Sequence, residues 1–361
     1  MELFHASAQW ANRPDDERFG SIKALYDATK AYAQVAKTAT VPYHTLHVEP
    51  SGTDLVLVGK AGTPARFTNW AFTQLASKVQ SPASFLRQLP APMACDVLNH
   101  RLRTVRAADK DGDDDNAQLL FHCNGSLLVR AFTSERYERI WNWEIAERLL
   151  QMEDSGSYEV AKPDIRVIDN RLPLYASDHD MFAFLRSTAK VIAEPGRTEP
   201  LYRGFIVSNS EVGAATLKVM KFLYREMCGN HIIWGASNVV EMSLRHIGDI
   251  RKNWIKFQMQ VREWDDATTD ADNVIIKRAI NTRIAATKGE VLDTIFGKKV
   301  PGLTKQVIAA SYSAVNEAED GDARTVWGFV QGATRYSQTI PNADERMQID
   351  RAAGKLMEIS F

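Results

Sequence analysis

Cysteine is scarce. Cys95, Cys123 and Cys228 are three among 361 residues, widely spaced and in no C-x-x-C pair. An odd count without a framework argues against a disulfide-stapled secreted fold and points to a reducing cytoplasm. The N-terminus, Met1-Glu2-Leu3-Phe4-His5, lacks the basic segment and apolar core of a signal peptide. No apolar run approaches the roughly 20 residues that span a bilayer, so no membrane association is expected. A charge excess of either sign is also missing. Forty-four Lys and Arg stand against 45 Asp and Glu, a formal charge of −1, which excludes a uniformly basic nucleic-acid coat protein but not a local basic face. Phosphate-cradling loops of the G-x-x-x-x-G-K-[ST] or G-x-G-x-x-G type do not occur, and neither does a G-x-S-x-G elbow. No nucleotide, cofactor or metal requirement is expected, and no enzymatic activity.

What is present is the composition of a folded protein: 45% apolar and 25% charged residues. The patterning predicts an α+β fold, antiparallel sheets packed with long helices and a mainly helical C-terminal part. Met152 to Gly156 is the best internal boundary, dividing 1–152 from 153–361, with the two parts able to form one domain.

A first helix is expected from Pro14 to Lys37, with Pro14 in its first turn and Asp15, Asp16 and Glu17 behind it. Residues 44–49 and 54–59 read as strands around Pro50-Ser51-Gly52. A helix follows from Asn69 to Val79. Asp109 to Asn116 reads as a solvated acidic loop, because a calcium loop would need a Glu where Leu120 stands. Leu119–Cys123 and Ser126–Phe132 flank Asn124-Gly125, a pair suited to a type I′ hairpin turn. A helix is expected from Glu135 to Gln151, striped by Tyr137, Ile140, Trp141, Ile145 and Leu149.

In the second part a strand is expected near Ile165 to Ile168. Ser177-Asp178-His179-Asp180 has the spacing of a helix cap, which accounts for these residues without metal or acid–base chemistry. Leu201–Ser208, Ala215–Tyr224 and His231–Gly235 read as strands joined by turns at Asn209–Gly213 and Gly229-Asn230. Cys228 and His231 have half a zinc site's spacing but no second pair nearby, so a turn is the better reading. After Asn238 a helical period is expected to the end.

Ile247, Ile250, Trp254, Phe257, Val261 and Trp264 form a heptad seam. Arg245, Arg251, Lys252, Lys256 and Arg262 fall away from it on one broad face, and Lys277 and Arg278 follow in the next helical stretch. Such a face suits the phosphates of single-stranded DNA, although basic residues opposite an apolar seam are also what a surface helix ordinarily carries. Residues 245–305 hold 12 Lys and Arg against 8 Asp and Glu.

Four stretches carry a family resemblance. Gln9 to Phe19 resembles the opening of the phage- and plasmid-borne "phage/plasmid-like protein" family of unknown function. Arg203 to Gly213 resembles its central strand and turn. Met227-Cys228-Gly229-Asn230 resembles its cysteine–asparagine turn, with Met227 replacing Val. Thr325 to Thr334 resembles its C-terminal helix motif, where Asn more often precedes the Ala. The resemblance implies a mobile-element origin and company with DNA-processing genes. It carries no catalytic residue. The order of three strands and a long helix over 201–264 is also similar to that of phage single-strand annealing proteins. The expectation is a non-enzymatic DNA-metabolism protein that binds single-stranded DNA, as a homo-oligomer in the annealing reading. The alternative is an interaction or anti-defence module acting on a host protein.

Overall fold

A computed structural model describes residues 17–59, 63–104, 116–161, 174–192, 201–225, 230–233, 242–244, 255–257, 259, 261, 263, 270–340 and 343–361. Its elements form two sheets, both mostly antiparallel, with helices packed on them and a helical C-terminal region.

The first helix, α1 (Ile22–Gln34), starts later than Pro14 because Ser21 caps it, its hydroxyl accepting from Ala24 N. It buries Ile22 and Leu25, and the chain turns directly into β1 (Ala36–Pro42). Strands β2 (His47–Ser51) and β3 (Asp54–Val58) form the expected hairpin, with Gly52 at φ +63°. After β4 (Pro64–Phe67) comes α2 (Asn69–Lys78), capped by Thr68. Two helices follow, α3 (Ala83–Leu86) and α4 (Ala91–Thr104). The acidic loop lies outside the described residues.

The hairpin of β5 (Asn116–Asn124) and β6 (Ser126–Thr133) is present. Its turn is not type I′: Asn124 pairs with Ser126, and only Gly125 takes a positive φ, +69°. This hairpin lies inside the sheet, whose order is β1-β5-β6-β4-β3-β2, with β4 parallel to β6. Phe72 and Leu75 of α2 and Leu98 and Leu102 of α4 cover one face, against Leu55, Leu57, Val129 and Phe132.

Helix α5 (Asn142–Asp154) begins seven residues after Glu135. Tyr137 and Arg139 in the preceding segment bond to the second sheet instead of to a helix of their own. The expected strand at 165–168 lies outside the described residues. The expected helix at Ser177 is replaced by a hairpin between β8 (Leu174–Ala176) and β9 (Met181–Ile192), β9 also pairing with β7 (Tyr158–Val160). The capping bonds do form. Ser177 Oγ accepts from His179 N and Asp180 N, closing the turn rather than starting a helix.

Strands β10 (Leu201–Asn209), β11 (Leu217–Arg225) and β12 (Asn230–Ile233) follow as expected. One more strand, β13 (Met242–Leu244), pairs with β11 where a helical period was expected. The second sheet runs β12-β11-β10-β9-β7, with β8 on β9. Both faces are covered, so alternate residues of β9 and β10 enter different cores. Leu185, Phe205 and Val207 meet Ile22, Leu25, Ile145 and Leu149 of α1 and α5. Phe184 and Ile206 meet Met220 and Phe222 on the other side.

The C-terminal helices are α6 (Asp270–Asn281), α7 (Lys288–Gly297), α8 (Lys305–Ala314), α9 (Glu317–Asp320), α10 (Val326–Ser337) and α11 (Ala343–Leu356). Thr325 caps α10, which is buried along nearly its whole length.

Candidate functional site

Residues Ser210 to Ala214, in the turn that leads from β10 to β11, tie the two sheets together. Ser210 Oγ donates to His179 O at 2.7 Å and accepts from Val212 N and Ala214 N, which holds the turn closed. Gly213 supplies the positive φ of +77° that the turn needs. From the first sheet's side, Trp70 Nε1 and Gln74 Nε2 both donate to Val212 O, at 2.9 and 2.8 Å. Tyr137 Oη donates to Ser210 O, and Arg139 donates to Glu211 O.

At the centre is an ion pair. Arg130 Nη1, on β6, donates to Glu211 Oε2 at 3.0 Å, and the two side chains are 1% and 3% exposed. The other Glu211 oxygen accepts from Asn142 N at 2.8 Å, at the start of α5. Arg130 Nη2 donates to Asp178 O in the β8–β9 turn. The Arg130 guanidinium stands over the Tyr32 ring at 4.5 Å, and His122 stacks on the same ring at 4.1 Å. Burial pushes the Tyr32 phenol up from its ordinary value, with Arg130 opposing. Burial, assisted by the Arg130 charge, pushes the His122 imidazole down. Burial pushes the Tyr137 phenol up as well.

Beside this pair lies a cavity of about 260 Å³, lined by Glu17, Phe19, Ala28, Thr29, Tyr32, Asn142, Ala176, Ser177, Asp178 and Glu211. Asn142 Oδ1 accepts from Asn209 Nδ2. Ser177 Oγ is already committed to its own turn. Among the described residues, no group of three or more His, Cys, Asp or Glu is placed to hold a metal ion.

The sequence-derived basic face is only partly in view. Arg245, Arg251, Lys252 and Arg262 lie outside the described residues, as do Ile247, Ile250, Trp254, Trp264 and Cys228. Lys256 and Lys277 are exposed, and Arg278 Nη2 donates to Met357 O. Of the seam, Phe257 and Val261 enter the core of the second sheet with Phe205 and Leu185. Ile255 and Met259, in the same helical segment, are 58% and 55% exposed.

The basic character continues beyond the predicted residues. From Lys277 to Lys305 there are seven Lys and Arg and two acids. Three of these lysines stand over aromatic rings: Lys288 over Tyr312 at 5.3 Å, Lys298 over Phe361 at 4.8 Å and Lys305 over Phe296 at 4.8 Å. Phe296 is 45% exposed.

Arg130, Glu211, Tyr32 and Asn142 were not singled out from the sequence. Glu211 reads there as a turn residue, and its partner is 81 positions away. Among the described residues no helix is long and apolar enough to cross a membrane. No family model, curated protein or solved structure matches the chain.

Proposed function

We propose that this chain is a phage- or plasmid-type DNA-metabolism protein that binds single-stranded DNA without cleaving it, and that it does so along its C-terminal basic surface. The observation that carries the reading is the pairing of cations with aromatic rings between Lys277 and Phe361. Lys288, Lys298 and Lys305 each stand over a ring, and Phe296 keeps much of its surface in solvent. Lysines neutralise phosphates, and exposed rings stack on unpaired bases without regard to sequence. Lys256 and Lys277 extend the same positive field. The resemblance of Arg203 to Gly213 and Thr325 to Thr334 to the phage/plasmid-like family supports the mobile-element setting.

The test is fluorescence anisotropy of a labelled single strand at two salt concentrations, beside the same-sequence duplex. The triple variant Lys277→Glu, Lys288→Glu, Lys305→Glu is expected to lose affinity by about tenfold or more and to flatten the salt dependence. A folded triple variant with wild-type affinity would sink the proposal.

A second reading is favoured by Ile255 and Met259, exposed four residues apart on a helical segment. Such a pair suits a groove on a host protein or on a second copy of this chain. Ile255→Asp with Met259→Asp then abolishes a protein complex while leaving DNA affinity unchanged. The two readings therefore part on one pair of variants.

A further inference from the structure

The first sheet ends in two edge strands, β1 and β2, and the chain treats them differently. An open edge presents a row of unpaired N–H and C=O groups that can pair with another chain. On β2 that row is closed from within. Asn99 Oδ1, on α4, accepts from Val48 N at 2.9 Å, and Asn99 Nδ2 donates to Val48 O at 2.8 Å. Cys95 Sγ donates to the same carbonyl. The Asn99 amide thus stands where a neighbouring strand would. Pro50, two positions on, has no N–H to offer.

Nothing comparable closes β1. Cys123 N donates to Val35 O, and the register with β5 is regular from Ala36 to Pro42. Backbone bonding alternates along an antiparallel ladder. Lys37, Ala39 and Val41 therefore turn their N–H and C=O groups to β5, and Ala36, Thr38, Thr40 and Pro42 turn theirs outward. Among the described residues the outward groups of Thr38 and Thr40 meet no partner, and no residue of β1 is buried. Lys37 and Pro42 are of the types that blunt an edge, but they stand towards its two ends and leave the middle open.

We propose that β1 pairs with β1 of a second copy of this chain, antiparallel about a two-fold axis at Ala39. That register engages the whole strand. Thr38 meets Thr40 of the second copy, a favourable cross-strand pair, and exchanges both backbone bonds with it. Lys37, the one charged residue of the strand, falls opposite Val41, so no like charges meet and its aliphatic stem lies along an apolar side chain. Ala36 N–H meets the Pro42 carbonyl, and the missing Pro42 N–H costs one bond at each end. The contact is isologous, so it closes at two copies. It joins two six-stranded sheets edge to edge, and the joined sheet grows no further because Asn99 caps β2 at both far ends. The proposal does not rest on the DNA reading, since β1 is no part of the C-terminal basic surface.

The test is sedimentation velocity of the full chain over a range of micromolar concentrations, where a monomer–dimer equilibrium is expected. Ala39 meets its own counterpart across the axis. Ala39→Lys and Ala39→Asp each bring like charges together there, and each is expected to weaken the dimer about tenfold or more. An equimolar mixture of the two variants is expected to recover a mixed dimer, which misfolded variants would not form. Thr38→Pro removes an outward N–H and spares the β5 ladder, so it is expected to give a monomer with the wild-type circular dichroism. A monomer at every concentration, a dimer that survives both Ala39 variants or Thr38→Pro, or folded Ala39 variants that stay apart when mixed would each overturn the proposal. DNA affinity does not enter the readout, so failure here leaves the proposed function standing.

Discussion

Arg130, on β6 of the first sheet, and Glu211, in the turn that follows β10 of the second, are 81 positions apart and meet at 3.0 Å with almost no solvent contact. A buried pair of this kind contributes little over an apolar packing of equal volume, but breaking it leaves a charge stranded. Glu211→Gln is therefore expected to destabilise the chain by about 3–5 kcal/mol in urea unfolding. The double variant Arg130→Met, Glu211→Gln is expected to lose less than the two single losses added. Strict additivity would mean that the two side chains are not coupled.

Alkaline pH probes the same junction through Tyr137. Its folded phenol lies above the ordinary value because of burial, while an unfolded tyrosine titrates near about 10. Above that point the unfolded chain has lost a proton that the folded chain keeps, so stability is whole below about pH 10 and falls above it. Tyr137→Phe removes one such group and also the bond to Ser210 O. It is expected to be less stable at pH 7 and to lose stability less steeply on going from pH 9 to 11. Parallel stability–pH curves for the two proteins would refute the assignment.

Gly204 sits in the middle of β10, between β9 and β11. A Cβ there would lie 2.5 Å from the Phe222 ring and 2.6 Å from Leu185 O. The ring has some freedom to move, but the carbonyl belongs to the paired strand and does not. Gly204→Ala is expected to cost about 1–3 kcal/mol, read as a lowered unfolding midpoint. An unchanged midpoint would show that the strand shifts freely.

Phe296 separates stacking from charge. Phe296→Ala leaves every Lys and Arg in place. If the ring meets a base, single-strand affinity falls by about 1–3 kcal/mol while its salt slope stays constant. A changed slope with no other loss would point to phosphate contacts alone.

Local patterns made much of this fold legible. Pro50-Ser51-Gly52 marked the β2–β3 turn, a helix was legible over Asn69 to Val79, and the runs at Leu201–Ser208 and Ala215–Tyr224 read as the strands they are. Failures occurred where a distant partner decided the outcome. Tyr137, Ile140 and Trp141 have helical spacing, yet bonds from Tyr137 and Arg139 to the β10–β11 turn hold that segment out of the helix. Ser177 carries genuine capping chemistry, but an identical hydroxyl also closes a hairpin, and only the pairing of Leu174–Ala176 with β9 decides between them. The buried pair was invisible for the same reason, since nothing within ten residues of Glu211 announces Arg130. The charge run at 245–278 could be read because charge patterns are local, but four of its seven residues lie outside the described ones, and the rings beneath Lys288, Lys298 and Lys305 come from positions the charge pattern does not name.

The order β1-β5-β6-β4-β3-β2 has a consequence for synthesis. The ribosome delivers β1 to β4 by residue 67, but the two strands that join β1 to β4 arrive only with residues 116–133. Until then the nascent chain holds β1 alone and a three-stranded meander with an open β4 edge. The β5–β6 hairpin, a local structure, then enters as a wedge and closes both gaps at once. A chain released at Thr104 therefore carries half a sheet and two unmet edges, a species prone to pair with its own copies.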